Sequence, residues 1–186
     1  NDPLSFRLAY TGQHDPETLW RLLSQTTPNA EAPFGQFAYT NTGYNIATLL
    51  SDRLLDTPWQ DLLQREIFAP LGLRSTSARM STATANLWSA ARPHMATPDG
   101  VQPVALVKTD QTMHSAGGVV MSARDAARWL EALIENGDLD GRRALPSDAI
   151  GATRMKGATV DQIFAGYQRA GYGLGWYIGP YRDEVM

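Results

Sequence analysis

The stretch Phe37 to Leu50, FAYTNTGYNIATLL, joins a short extended segment to an apolar-periodic run. Ile46, Leu49, Leu50 and Leu54 recur at helical spacing, which predicts a helix from about Thr42 to Leu55 with these residues on one face. Just ahead stand Tyr39 and Asn41, two residues apart. In extended backbone such residues point the same way, so a phenol and a carboxamide are offered together at a helix entrance. A phenol relays protons when nearby cations pull its pKa down from about 10. A carboxamide has one acceptor and two donors, enough to orient an amide and an ammonium together. Spacing alone favours a plainer arrangement, with Tyr39 packed half-buried and Asn41 or Thr42 capping the helix.

Outward from this segment, four further helices are legible. Asp15-Pro16-Glu17 supplies a cap, a Pro at the first helical position and an acid in the first turn, ahead of Leu19, Leu22 and Leu23. Thr57-Pro58-Trp59-Gln60 reads as a capping box, with Trp59, Leu62, Leu63 and Ile67 as the buried stripe and Pro70 as the stop. Ser122, with Asp125 as its reciprocal cap, opens a helix whose inner face is Ala126, Trp129, Leu130, Leu133 and Ile134, and Gly137 ends it. A weaker helix follows Ser147. Between Gly72 and Gly118 neither period persists, and a loop that long is functional or supported from elsewhere. Tyr172 to Ile178 alternates apolar residues with glycine and predicts one strand, which has no partner.

Composition narrows the chemistry. The 186 residues are 43% hydrophobic and 19% charged, with net charge −3, enough for a real core in one domain or slightly more. Lys108 and Lys156 are the only lysines and the arginines are dispersed, which argues against nucleic acid as a partner. Cysteine is absent, removing disulfides, thiolate metal sites and Cys nucleophiles. His14, His94 and His114 lack metal-ligand spacing, and Asp138-Leu139-Asp140-Gly141 lacks the remaining ligands of a calcium loop. Neither a metal nor an organic cofactor is expected. His114-Ser115 has no orienting acid in view, and Ser115-Ala116-Gly117-Gly118 reads as backbone geometry that needs glycine. Trp59 and Trp129 fall at core positions, and packing is the simpler use of Trp20 and Trp88.

Four motifs occur in an order that resembles the penicillin-recognising serine hydrolases of the class C β-lactamase type, a group including DD-peptidases and esterases. They are Tyr39-Thr40-Asn41 opening a helix, Pro70-Leu71-Gly72-Leu73 ending one, Gly117-Gly118 before the capped helix with Asp125, and GYGLGW at 171–176. The resemblance covers nearly the whole chain, most weakly over 79–112. It implies acyl transfer to a serine, with Tyr39 as base or proton shuttle and Asn41 holding the substrate amide and a catalytic Lys. The implied partner is a small-molecule or peptide acyl substrate, such as a β-lactam, a D-Ala-D-Ala peptide or an ester.

The chain departs from that pattern at the nucleophile. Ala105 stands three before Lys108 and Thr153 three before Lys156, so no Ser-x-x-Lys is present; Lys108-Thr109-Asp110 is not the Lys/His-x-Gly strand element either. In the family these elements flank the region matched here. The expectation is therefore a mainly α piece of a longer enzyme, inactive alone. Residues 1–171 would be the helical subdomain of a β-lactamase/DD-peptidase (α+β) fold, with 72–118 irregular, and 172–186 would start the return strand to a missing sheet. Such a piece would self-associate through exposed surface. The resemblance implies a periplasmic or extracellular location. Two rivals are a non-catalytic helical binding module of the same descent and an enzyme using Thr153 with Lys156.

Overall fold

The structure is a computed structural model and describes residues 15–27, 35–85, 90–104, 108–181 and 184–185. The chain divides into two compact units, Asn1–Thr26 with Thr40–Arg128, and Thr27–Tyr39 with Trp129–Met186. It is α+β, not mainly α. Antiparallel pairs recur between the helices, and a three-stranded sheet stands where one unpartnered strand was expected.

In the first unit, α1 (Pro16–Ser24) starts at Asp15, whose carboxylate accepts the Thr18 N–H at 2.7 Å. These cap donors hold the Asp15 carboxyl below its ordinary pKa. Leu23 of α1 and Leu49 of α2 (Asn41–Leu55) are buried together, with Leu19, Trp20, Leu22 and Ile46 packed around them. Leu50 and Leu54 are exposed, Leu54 by 81%, so the apolar stripe of α2 is only half covered.

The next helix, α3, begins as Trp59–Leu63, widens to a π-helical turn over Gln64–Phe68 and closes as Ala69–Leu71. The expected capping box does not form. The Thr57 hydroxyl donates back to the Leu55 carbonyl at 3.0 Å, and Pro58 is the cap residue. Nor does Pro70 stop the helix. The π turn has already displaced the regular ladder, with Ala69 N–H bonded to Gln64 O, so the missing N–H of Pro70 is tolerated. Gly72 ends it instead, at φ +65°, as Leu73 N–H reaches Phe68 O at 2.9 Å and Gly72 N–H reaches Ala69 O at 3.0 Å. Fully buried Leu71 marks the core here, alongside buried Phe68 and Leu73.

The stretch without periodicity contains β1 (Thr76–Ser77), α4 (Met80–Ala85), and the hairpin β2 (His94–Thr97) with β3 (Gly100–Pro103). Its support comes from distant residues. β1 pairs with β4 (Val120–Met121), and Asp110 accepts the Ser81 N–H at 2.9 Å and the Ser81 hydroxyl. Burial alone would push the Asp110 carboxyl up, but the Ser81 donors outweigh it and hold it low.

Helix α5 (Ala123–Ile134) is capped by Ser122, whose hydroxyl accepts the Asp125 N–H at 3.2 Å. Asp125 is not the reciprocal cap. Its buried carboxylate turns away to accept Ser75 N–H and the Thr76 hydroxyl, each at 2.7 Å, and so ties α5 to β1. Arg128 Nε then donates at 3.0 Å to Leu71 O, one of the carbonyls left over at the end of α3.

In the second unit, α5 ends as expected at Gly137, whose N–H bonds Ala132 O at 2.7 Å. Leu130 and Ile134, expected inside, are exposed, while Ala132 and Leu133 are buried. The hairpin β5 (Asp138–Leu139) and β6 (Arg142–Arg143) turns at Asp140-Gly141, and Asp138 pairs with Arg143 at 3.1 Å. Helix α6 (Ser147–Arg154) follows, with the Arg154 guanidinium donating to Leu133 O.

The sheet then runs β7 (Ala158–Phe164), β8 (Tyr167–Tyr172), β9 (Tyr177–Ile178), antiparallel in that order. The predicted strand at Tyr172–Ile178 is thus the β8–β9 turn, where Gly173 N–H bonds Trp176 O at 2.8 Å. A last pair, β10 (Pro180–Tyr181) and β11 (Glu184–Val185), closes the described chain.

Candidate active site at the start of α2

Thr40 has extended backbone, and its side chain accepts the Thr42 N–H at 3.1 Å. Thr40, rather than Asn41 or Thr42, is therefore the cap. Asn41 becomes the first helical residue, exposed, with its carboxamide outside any hydrogen bond among the described residues. On the other side of the cap, Tyr39 is 57% exposed and stands edge-on to Tyr172, ring centroids 6.2 Å apart.

That contact joins Tyr39 to an aromatic cluster within the second unit. Phe37 lies 5.0 Å from Tyr172 and 6.2 Å from Tyr177, and the cross-strand partners Tyr172 and Tyr177 meet at 4.9 Å, edge to face. The Arg169 guanidinium covers Tyr177 at 3.8 Å and Phe164 at 3.9 Å. Each such aromatic pair contributes about 0.5–1.5 kcal/mol beyond its buried area. The sequence reading missed this cluster because it found no sheet to carry it.

One helical turn beyond Asn41, Asn45 is buried at 6% exposure. Its Oδ1 accepts from the Ser115 hydroxyl at 3.1 Å and the Ala116 N–H at 3.4 Å, and Thr48 meets Ser115 at 2.9 Å. A Cβ on Gly118 would lie 2.2 Å from the His114 carbonyl oxygen and 2.9 Å from the Trp59 ring, so only glycine fits. Sequence inspection singled out the Gly-Gly turn but not Asn45, which shares its helical face with Thr48 and Asp52 as well as buried Leu49.

Along the same face of α2, from Asn45 to Asp52, runs an open cleft of about 820 Å³ in the first unit, also lined by Trp59, Arg79, His114 and Ser115. Asp52 takes the Trp59 backbone N–H, but its Oδ1 is buried without a partner among the described residues. Burial pushes its carboxyl pKa up.

The other candidates fall elsewhere. Thr153 donates to Ile150 O at 2.7 Å and accepts from the Trp176 indole at 3.2 Å, while Lys156 is exposed. Lys108 donates to Thr112 O at 3.0 Å in a turn, and burial lowers its ammonium pKa. His94 has Nδ1 2.8 Å from Arg92 O; His14 and Trp88 lie outside the described residues. Trp20 packs in the α1–α2 core, with the Arg53 guanidinium 4.1 Å above its ring. Among the described residues no group of three or more His, Asp or Glu could hold a metal.

The same fold occurs in solved structures. D-amino acid amidase from Ochrobactrum anthropi SV3, complexed with L-phenylalanine, superposes with a TM-score of 0.69 at 21% identity, covering 98% of this chain and 50% of that one. The octameric penicillin-binding protein homologue from Pyrococcus abyssi does so with a TM-score of 0.68 at 20% identity, covering 91% of this chain and 36% of that one. The curated relative, an unguisins hydrolase of Aspergillus violaceofuscus, is 30% identical over 111 residues, 58% of this chain and 20% of that protein. The chain thus spans half or less of the length of these proteins. The fold is that of the penicillin-binding and D-amino-acid-amidase hydrolases. The Beta-lactamase family model matches residues 3–185, and the chain belongs to that family.

Proposed function

We propose that this chain carries half of the acyl-transfer site of a serine hydrolase, with Tyr39 as base or proton shuttle and Asn41 as the group orienting the substrate amide. The observation that carries the reading is the cap. Because Thr40 takes the capping role, the Asn41 carboxamide is left available at the helix entrance, and Tyr39, two residues earlier in the chain, keeps an exposed phenol. The nucleophile is assigned to a Ser-x-x-Lys outside these 186 residues, since neither lysine here has a serine three residues before it. Family membership and the partial coverage of the relatives support that assignment.

The names of the relatives, among them a D-amino acid amidase, support an acyl substrate. The serine hydroxyl attacks an amide, peptide or ester carbonyl and passes its proton to the Tyr39 oxygen; as the C–N or C–O bond breaks, that proton goes on to the departing amine or alcohol, leaving an acyl-serine. Water then attacks the acyl-serine carbonyl, releasing the acid and restoring the serine hydroxyl. An activated ester, a β-lactam and a D-amino acid amide are the probes to compare.

Sequencing the gene across both ends of this segment tests the assignment. An in-frame Ser-x-x-Lys before residue 1 and a Lys/His-x-Gly after residue 186 are expected. Start and stop codons at the present ends would overturn it and leave the binding-module reading.

A further inference from the structure

Resting on the reading of Tyr39 and Asn41 above, we infer that Asn45 is the positioning residue of the site: it locks the Ser115–Gly118 turn onto α2 so that the turn forms a fixed wall beside Asn41. Asn45 occupies the buried face of α2, where Leu49 follows one turn on. A leucine would suit that place, and a buried carboxamide is costly unless bonded. Here the carboxamide oxygen is bonded twice, by groups 70 and 71 residues away: the Ser115 hydroxyl and the Ala116 N–H. The Thr48 hydroxyl holds Ser115 from the next turn of the same helix.

Residues four apart on a helix share a face, with Cβ atoms about 5–6 Å apart. The bonded turn is therefore anchored to α2 one helical turn past Asn41 in the chain. Gly118 cannot take a larger residue, because a Cβ there would meet the His114 carbonyl and the Trp59 ring. Nor can Gly117, at φ +86°, be exchanged for a larger residue without strain. Asn45 itself touches no reacting atom in this arrangement. Its effect is on where a bound acyl group lies relative to Asn41.

The test uses the complete gene product and compares a bulky acyl substrate with a small activated acetate ester. Asn45→Leu should lower kcat/KM for the bulky substrate by on the order of 10²-fold, the loss a displacement of about 1 Å can cause. It should change the acetate ester far less. A purely structural role would lower both together, in proportion to the folded fraction. Asn45→Asp keeps acceptor oxygens and should recover most of the loss, while adding an ionisation to the pH profile of kcat/KM that Asn45→Leu lacks.

If Asn45→Leu does not fold, Ser115→Ala removes one donor to the same oxygen and should separate the two substrates in the same direction. Equal kinetics for wild type and Asn45→Leu on both substrates would overturn the positioning role. Asn41→Ala distinguishes the levels of failure. Should it also leave the kinetics unchanged, the reading of the whole site falls; should it slow acylation while Asn45→Leu does not, only the role of Asn45 falls.

Discussion

The two halves of α2 differ in how their polar groups are met. At the entrance Thr40 caps the helix, and buried Asn45 has both a hydroxyl and an amide on its oxygen. Toward the exit, Asp52 keeps a buried oxygen without a partner among the described residues, and Leu54 and Leu55 are exposed. Buried polar groups specify a structure when every member is satisfied and cost stability when one is not. The satisfied half carries Asn41 at its first position, and its buried Asn45 is bonded to the Ser115–Ala116 turn. The other half contributes apolar surface and the desolvated Asp52 carboxylate, and no step of the proposed chemistry passes through it.

The largest effect expected is on chemistry at the entrance. In a protein that joins this segment to its Ser-x-x-Lys, Tyr39→Phe should slow acylation by about 10²–10⁴-fold, the usual loss on removing a positioned proton carrier. Stopped-flow measurement of acylation by an activated ester checks it, and a loss below tenfold would place the proton relay elsewhere. Next is the cap. Thr40→Ala should lower the stability of this chain by about 1 kcal/mol, within the roughly 0.5–2 kcal/mol seen for caps, as read by urea unfolding. An unchanged midpoint would show that packing alone fixes the start of α2.

At the exit the sign is set by Asp52. Its folded pKa is raised by burial, so the native state holds this proton more tightly than the unfolded chain. Its contribution to stability is therefore fully present below the unfolded value of 3.8 and is lost as pH rises through the raised folded pKa. Asp15, Asp61 and Asp110 are shifted the other way, so the total curve mixes both signs. The difference between wild type and Asp52→Asn isolates the one group. Relative to the variant, wild type should gain stability as pH falls through that window; a flat difference would mean Asp52 is solvated. Smallest is Leu54→Lys, which should alter stability by no more than about 0.5 kcal/mol while reducing any self-association seen by sedimentation.

The helices were legible where short-range chemistry decides them. Asp15 caps α1, Ser122 caps α5 and Gly137 ends α5, because those bonds reach only a few residues along the chain. Asp125 shows the limit of that reading. Its sequence position suits a reciprocal cap, but the donors it takes lie about 50 residues away. Pro70 failed as a stop because a π turn, which leaves no mark on the hydrophobic period, precedes it.

The sheet was illegible for a related reason. β7, ATVDQIF, is largely exposed and carries Asp161 and Gln162 in its middle, so no alternation betrays it, and the glycines of the β8–β9 turn mimic a strand. Tyr39 and Asn41 were visible as a pair, but spacing alone favoured a packing role. The motif order gave them a chemical one; the structure adds that Thr40, not Asn41, caps the helix and that Tyr39 is largely exposed.

The most direct test of the central claim is an intact-mass measurement with peptide mapping after treatment with an acyl-phosphonate. The 186-residue chain should gain no mass, and the complete gene product should gain one adduct, on the serine of a Ser-x-x-Lys outside this segment. An adduct on a serine or threonine within these 186 residues, or none on the complete product, would contradict the account.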